Sequence, residues 1–138
     1  MEVSSNGLTV RDVTMMACDV FDHAMLLPSS EWDRRNDQER WEHVAVKAMV
    51  LMDPGTDQLP RDVNVNVKDM ARALYQSYSM GEDVMRWQDV PLESKLGWEA
   101  VVRHLFGALT SDDLSTVQDY SQARKWVESQ LVKQGVLV

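Results

Sequence analysis

The sequence predicts an all-α domain of five helices: two similar helical hairpins closed by a C-terminal helix. Three observations carry this. Apolar residues recur at three- and four-residue steps in five separate stretches. Residues suited to helix starts and stops bracket those stretches. A single shift, the one that lays Trp41 on Trp98, also lays the first two stretches on the next two.

The first helix is expected over 9–27. "TVRD" has the form of a capping box, Thr9 at the N-cap and Asp12 at N3. Val13, Met16, Ala17, Val20, Ala24 and Leu27 make its inner stripe, and Pro28 marks the stop. The second, 37–52, starts from Asn36, with Trp41, Val44, Ala45, Ala48, Leu51 and Met52 inward. Together they form a hairpin unit, 9–52. A linker, 53–66, "DPGTDQLPRDVNVN", carries two prolines and a glycine. Its end, "VNVNV", alternates like a strand but is short.

The second hairpin unit is 67–109. Its first helix, 67–80, is expected to start from Asn66 and to bury Val67, Met70, Ala71, Leu74, Tyr75 and Tyr78, with Gly81 ending it. Its second, 91–109, opens with Pro91, a residue suited to the first helical turn. Trp98, Val101, Val102, Leu105 and Leu109 face inward. The C-terminal helix, 112–134, starts at Ser111 or Ser115, carries Val117, Tyr120, Ala123, Val127 and Leu131, and meets Gly135 where a C-terminal cap belongs. One domain is expected to hold all of this.

The two units match beyond their apolar pattern. Val10-Arg11-Asp12-Val13 falls on Val67-Lys68-Asp69-Met70, Ala17 on Leu74, Phe21 on Tyr78, and Trp41-Glu42 on Trp98-Glu99. A third "TVQD", Thr116 to Asp119, echoes the helix start without a following partner helix. Repetition of this length is the mark of stacked helical units. The stretch "ARALYQSY…RWQDVPLESKLGWEAVVRHL", Ala71 to Leu105, resembles small uncharacterised helical proteins of bacteriophages and prophages. It is also similar in outline to the tryptophan-bearing turn of HMG boxes. Those domains are basic and this chain is acidic, so DNA binding does not carry over. The phage likeness implies a setting rather than a chemistry.

A net charge of −8 and a pI near 4.7 repel nucleic acid and anionic membrane. A basic protein partner suits such a surface, and so does simple solubility. No apolar run is long enough to cross a bilayer. The first ten residues lack the pattern of a secretory signal. With Cys18 as the single cysteine, a cytoplasmic location is expected.

Trp41 and Trp98 each open an inward stripe and are expected in the core. Trp32, Trp87 and Trp126 stand among charges and are candidate anchors for a protein partner, because tryptophan is enriched at binding hot spots; the alternative for Trp32 and Trp87 is that they lid the hairpins. Glu82 and Asp83 join them as candidate partner contacts. With Asp112, Asp113 and Asp119 they also form the clusters a DNA mimic would use. Asp19 with His23, and Glu39 with His43, share helix faces, but no repeated histidine motif gathers further ligands. No catalytic residue, metal site or cofactor is assigned. Cys18 is expected as a buried thiol. Met15, Met16, Met25, Met49 and Met52 suit either a plain core or an adaptable groove. The expected function is a non-enzymatic protein-interaction module, for example a phage protein acting on a bacterial defence or transcription complex. An acidic DNA mimic and a self-associating assembly protein are the alternatives.

Overall fold

Thr9 caps the first helix as its sequence requires. The Asp12 backbone N–H donates to Thr9 Oγ1 at 3.1 Å, and the Thr9 N–H donates to the Asp12 carboxylate at 2.9 Å. In the computed structural model, which describes residues 8–26, 37–52, 63–80, 85–110 and 121–135, this box opens α1, Val10–Ala24. It is followed by α2, Gln38–Met52, α3, Val63–Ser79, α4, Leu92–Thr110, and α5, Ser121–Lys133, with a short 3-10 turn at Trp87–Asp89 before α4. The class is all-α, as the stripes predict.

Most of the inward stripes are buried where they are described, but Leu51, Tyr75 and Tyr78 are only partly buried against the core. Val13, Ala17, Val20 and Ala24 of α1, Trp41, Val44, Ala45 and Ala48 of α2, and Val67, Met70, Ala71 and Leu74 of α3 all lie in one core. They join Trp98, Val101, Val102 and Leu105 of α4 and Ala123, Val127 and Leu131 of α5. Met16 and Met49 are buried in it too, and Cys18 is a core thiol. Leu96 and Ala100 of α4 are core residues that the predicted stripe omits. Helices α1 to α4 pack each on the next, and α1 closes on α4. Gly97 permits that closure: a β-carbon there would lie 2.9 Å from the Met25 sulfur and 3.2 Å from the Phe21 ring. The result is a four-helix ring, with α5 laid against α1 and α4. Arg124 meets Glu93, and Trp126 meets Arg103 further along both helices.

Several boundaries differ from expectation; α1 ends at Ala24 with Met25 as its cap, short of the expected 27. Helix α3 starts at Val63, not after Asn66, so the alternating "VNVNV" is its first turn. Val63, Val67, Met70 and Leu74 are spaced by four, three and four, which extends the helical stripe back by a turn. Helix α4 starts at Leu92, and Pro91 stands just before it, its carbonyl accepting from Lys95 N at 3.0 Å. Helix α3 ends at Ser79, and the next residue, Met80, takes a left-handed conformation, φ 55°. Gly135 does so at the end of α5, φ 75°, where its N–H donates to the Val132 carbonyl. Leu27 and Pro28, Asn36, most of the linker at 53–62, Gly81, and the expected start of the last helix with its "TVQD" echo lie outside the described residues.

Candidate functional site

Four rings that the repeat relates in pairs meet at one end of the bundle. Phe21 near the end of α1 corresponds to Tyr78 near the end of α3, and Trp41 early in α2 to Trp98 in α4. Trp41 and Trp98 stack, centroids 5.4 Å apart and planes 27° from parallel. Phe21 packs on both indoles at 5.7 and 4.8 Å, and Tyr78 on both at 5.1 and 5.7 Å. Aromatic pairs at these separations add stabilisation beyond the area they bury. Both indoles are buried, as expected.

Polar groups hold the quartet in place. Asp37 Oδ2 accepts from Trp41 Nε1 and from the Tyr78 hydroxyl, each at 3.0 Å. Arg40 donates to the carbonyls of Tyr78 and Ser79 at 2.9 and 3.2 Å, satisfying the end of α3, and its guanidinium lies over the Tyr78 ring. On the far side of Trp98, Tyr75 carries the aromatic layer outward to Trp87 on the 3-10 turn, ring centroids 5.5 Å apart. The Tyr75 hydroxyl donates to the Met85 carbonyl. The ammonium of Lys95 sits above the Trp87 ring at 5.7 Å.

Beside this layer is an open groove of about 430 Å³. Its aromatic floor is Phe21, Tyr75, Tyr78 and Trp98. Buried Val90, half-buried Ser94 and exposed Met85 and Pro91 complete its lining. Met85 is 55% exposed. Because Asp37 and Met85 engage the two tyrosine hydroxyls, the groove presents mostly carbon.

The expected anchors are placed separately. Trp87 is half-buried against Tyr75 and borders a second hollow with Arg72, Gln76 and Met85. Trp126 is half-buried under the Arg103 guanidinium, 5.0 Å away, beside a hollow between α4 and α5. Among the described residues the two line different hollows. Trp32, Glu82 and Asp83 lie outside the described residues, as do Asp112, Asp113 and Asp119. Sequence reasoning passed over Asp37 and Arg40. Asp37 stands four residues before Trp41, a spacing that lets a carboxylate reach the indole N–H on the same helix, so half of its role carried a signal.

The remaining chemistry is local. His23 Nδ1 lies 2.8 Å from the Asp19 backbone carbonyl, so the imidazole bonds its own helix through that nitrogen. His43 is exposed on α2. The Cys18 thiol points to the buried Asp22 carboxylate, 3.9 Å away, and with Asp19 these form the one grouping of three metal-capable side chains among the described residues. All three come from one stretch of α1, and the thiol contact within it serves the core. At the other end of α4's first half, Arg124 of α5 donates to the Ala24 carbonyl, Glu93 and Glu128, at 2.9, 3.0 and 3.0 Å, tying three helices together.

Glu99, half-buried on α4, has its carboxyl pushed above the ordinary range by burial, with Lys68 and Arg103 partly offsetting this. A raised carboxyl pKa means that the folded state holds its proton to higher pH than the unfolded state does. This contribution therefore favours folding in acid and is lost as pH rises through the folded value. Glu99→Gln is accordingly expected to raise the denaturant midpoint at pH 7, with the gain disappearing below the carboxylate range. Parallel denaturant curves at pH 7 and pH 3 check this, and a midpoint lowered at pH 7 would show that Lys68 and Arg103 outweigh burial.

No family model, curated protein or solved structure matches the chain. Among the described residues, no helix is long and apolar enough to cross a membrane.

Proposed function

We propose that this chain is a non-enzymatic protein-interaction module that receives an apolar side chain of a protein partner in the aromatic groove. One observation carries the reading: an open hollow of about 430 Å³ is floored by four aromatic rings whose positions the core already fixes. Rings held by packing and by Asp37 need no ordering when a partner arrives, and preorganisation of this kind favours affinity. Aromatic residues in a desolvating pocket are the usual centre of a binding hot spot. The phage resemblance of residues 71–105 suggests where to look, namely a bacterial protein complex that a phage product would inhibit or modulate.

The groove rim provides the test. Met85→Glu and Ser94→Arg place charge at the mouth of the groove while leaving the buried rings untouched. Each is expected to weaken capture of a partner from bacterial lysate by at least about tenfold, corresponding to ~1.4 kcal/mol, with no change in melting temperature. Immobilised wild-type and variant proteins compared by quantitative pull-down measure this. Equal capture by all three proteins would remove the groove as the docking site.

A further inference from the structure

The aromatic groove has a neighbour. Tyr75 and Met85, joined by the bond from the Tyr75 hydroxyl to the Met85 carbonyl, line the groove and also a second hollow of about 300 Å³. The two spaces therefore adjoin at a shared wall.

Their linings differ in charge. Among the described residues, no charged side chain lines the groove. The second hollow is lined by Arg72 and Gln76, one turn apart on α3, and by Arg86 and Gln88 at the 3-10 turn. It thus gathers two guanidinium groups and two side-chain amides, and no carboxylate among the described residues lines it. The Arg72 side chain is exposed and forms no ion pair with a described residue. Arg86 pairs with Asp89 at 3.1 Å, but the two side chains are 74% and 52% exposed. Water and salt screen such a pair, so it competes weakly with an incoming anion.

This local charge opposes that of the whole molecule. A net charge of −8 favours a basic partner, whereas two arginines beside the groove favour an acidic one. At physiological salt the screening length is about 8 Å, so charges at the contact outweigh those across the molecule. A guanidinium presents a planar fork of donors that matches a carboxylate. In an extended segment, side chains one or two places apart are close neighbours, which suits two adjoining hollows.

We infer that the partner segment is acidic, an inference that rests on the groove reading above. A glutamate or aspartate stands one or two residues from the apolar side chain that enters the groove, and Arg72 and Arg86 receive its carboxylate.

Capped pentapeptides test this, titrated into the full chain at physiological salt and followed by backbone amide shifts in two-dimensional NMR. Each has a central leucine flanked on both sides by two glutamates, two glutamines or two lysines; a fourth keeps the glutamates and replaces leucine by glycine. The glutamate–leucine peptide is expected to bind at least about fivefold more tightly than the glutamine one, and Arg72→Gln or Arg86→Gln to weaken it about threefold each, within the range of single exposed ion pairs. Neither variant is expected to change binding of the glutamine peptide. Both arginines are exposed, so the variants keep the fold, which thermal melts check; the ranking of peptides on the wild-type chain stands independently of them. Equal binding of the glutamate and glutamine peptides, both shifting Ser94 and Trp98, overturns the acidic partner and leaves the groove reading in place. Tightest binding by the lysine peptide overturns it in favour of a basic partner. Loss of leucine without loss of affinity, or no shift with any peptide, overturns the groove reading and this inference together.

Discussion

Trp41→Ala is expected to lower the stability of the fold by about 3–5 kcal/mol, the range for removing a large aromatic side chain from a packed core. The indole is 1% exposed. It touches three other rings, and its Nε1 is bonded to Asp37. The truncation therefore opens a cavity and removes one of the donors that Asp37 accepts. Trp98→Ala, at the equivalent place in the second unit, is expected to fall in the same range. Domains of this size have about 5–15 kcal/mol of stability in all, so either change brings the chain close to unfolding. The double variant is expected to lose less than the two single losses combined, because the rings stack on each other and share neighbours. Urea denaturation of the four proteins gives all of these quantities. Unchanged midpoints in both single variants would show that the quartet does not hold the core together.

Asp37→Ala is expected to cost about 2–3 kcal/mol, since it leaves the Trp41 N–H and the Tyr78 hydroxyl without this acceptor in a largely desolvated place. Asp37→Asn separates hydrogen bonding from charge. Both donors converge on a single carboxylate oxygen, and an amide oxygen can take its place. The asparagine variant should retain most of the stability, losing about 1 kcal/mol or less, chiefly through the lost negative charge near the start of α2. Chemical denaturation of both variants at one pH checks the ranking. An asparagine variant as unstable as the alanine variant would mean that charge, rather than the shared acceptor, is what Asp37 supplies.

The parts of the fold legible in the sequence are those whose cause is local. Thr9 and Asp12 are three residues apart and satisfy each other. The stripe of α1 repeats within fifteen residues, and Gly135 lies where the backbone turns left-handed. Helix α3 starts a turn before the point that Asn66 marks, because "NVKD" has the form of a helix start while the apolar spacing runs back to Val63. The site was legible only in its parts. Trp41 and Trp98 could be assigned to the core from their own helices. Arg40 could not be matched to its acceptors, Tyr78 and Ser79, because they lie 38 and 39 residues away on another helix. The groove itself is a gap between elements. Nothing in the residues Tyr75, Met85 or Pro91 announces it until the bundle end is assembled.

The ring quartet also bears on the order of folding. Phe21 and Trp41 come from one hairpin, and Tyr78 and Trp98 from the other. Every one of them touches both rings of the opposite type. A hairpin forming alone can bring together only its own pair, leaving an indole face in water. The stacking of Trp41 on Trp98 joins residues far apart in the chain, and chain closure over such distances is unfavourable until packing rewards it. The quartet is therefore complete only when the two hairpins are docked, and the contact of Trp41 with Trp98 belongs to that docked state. Both halves of the chain contribute to one core, so the two units are expected to unfold together, in a single cooperative transition.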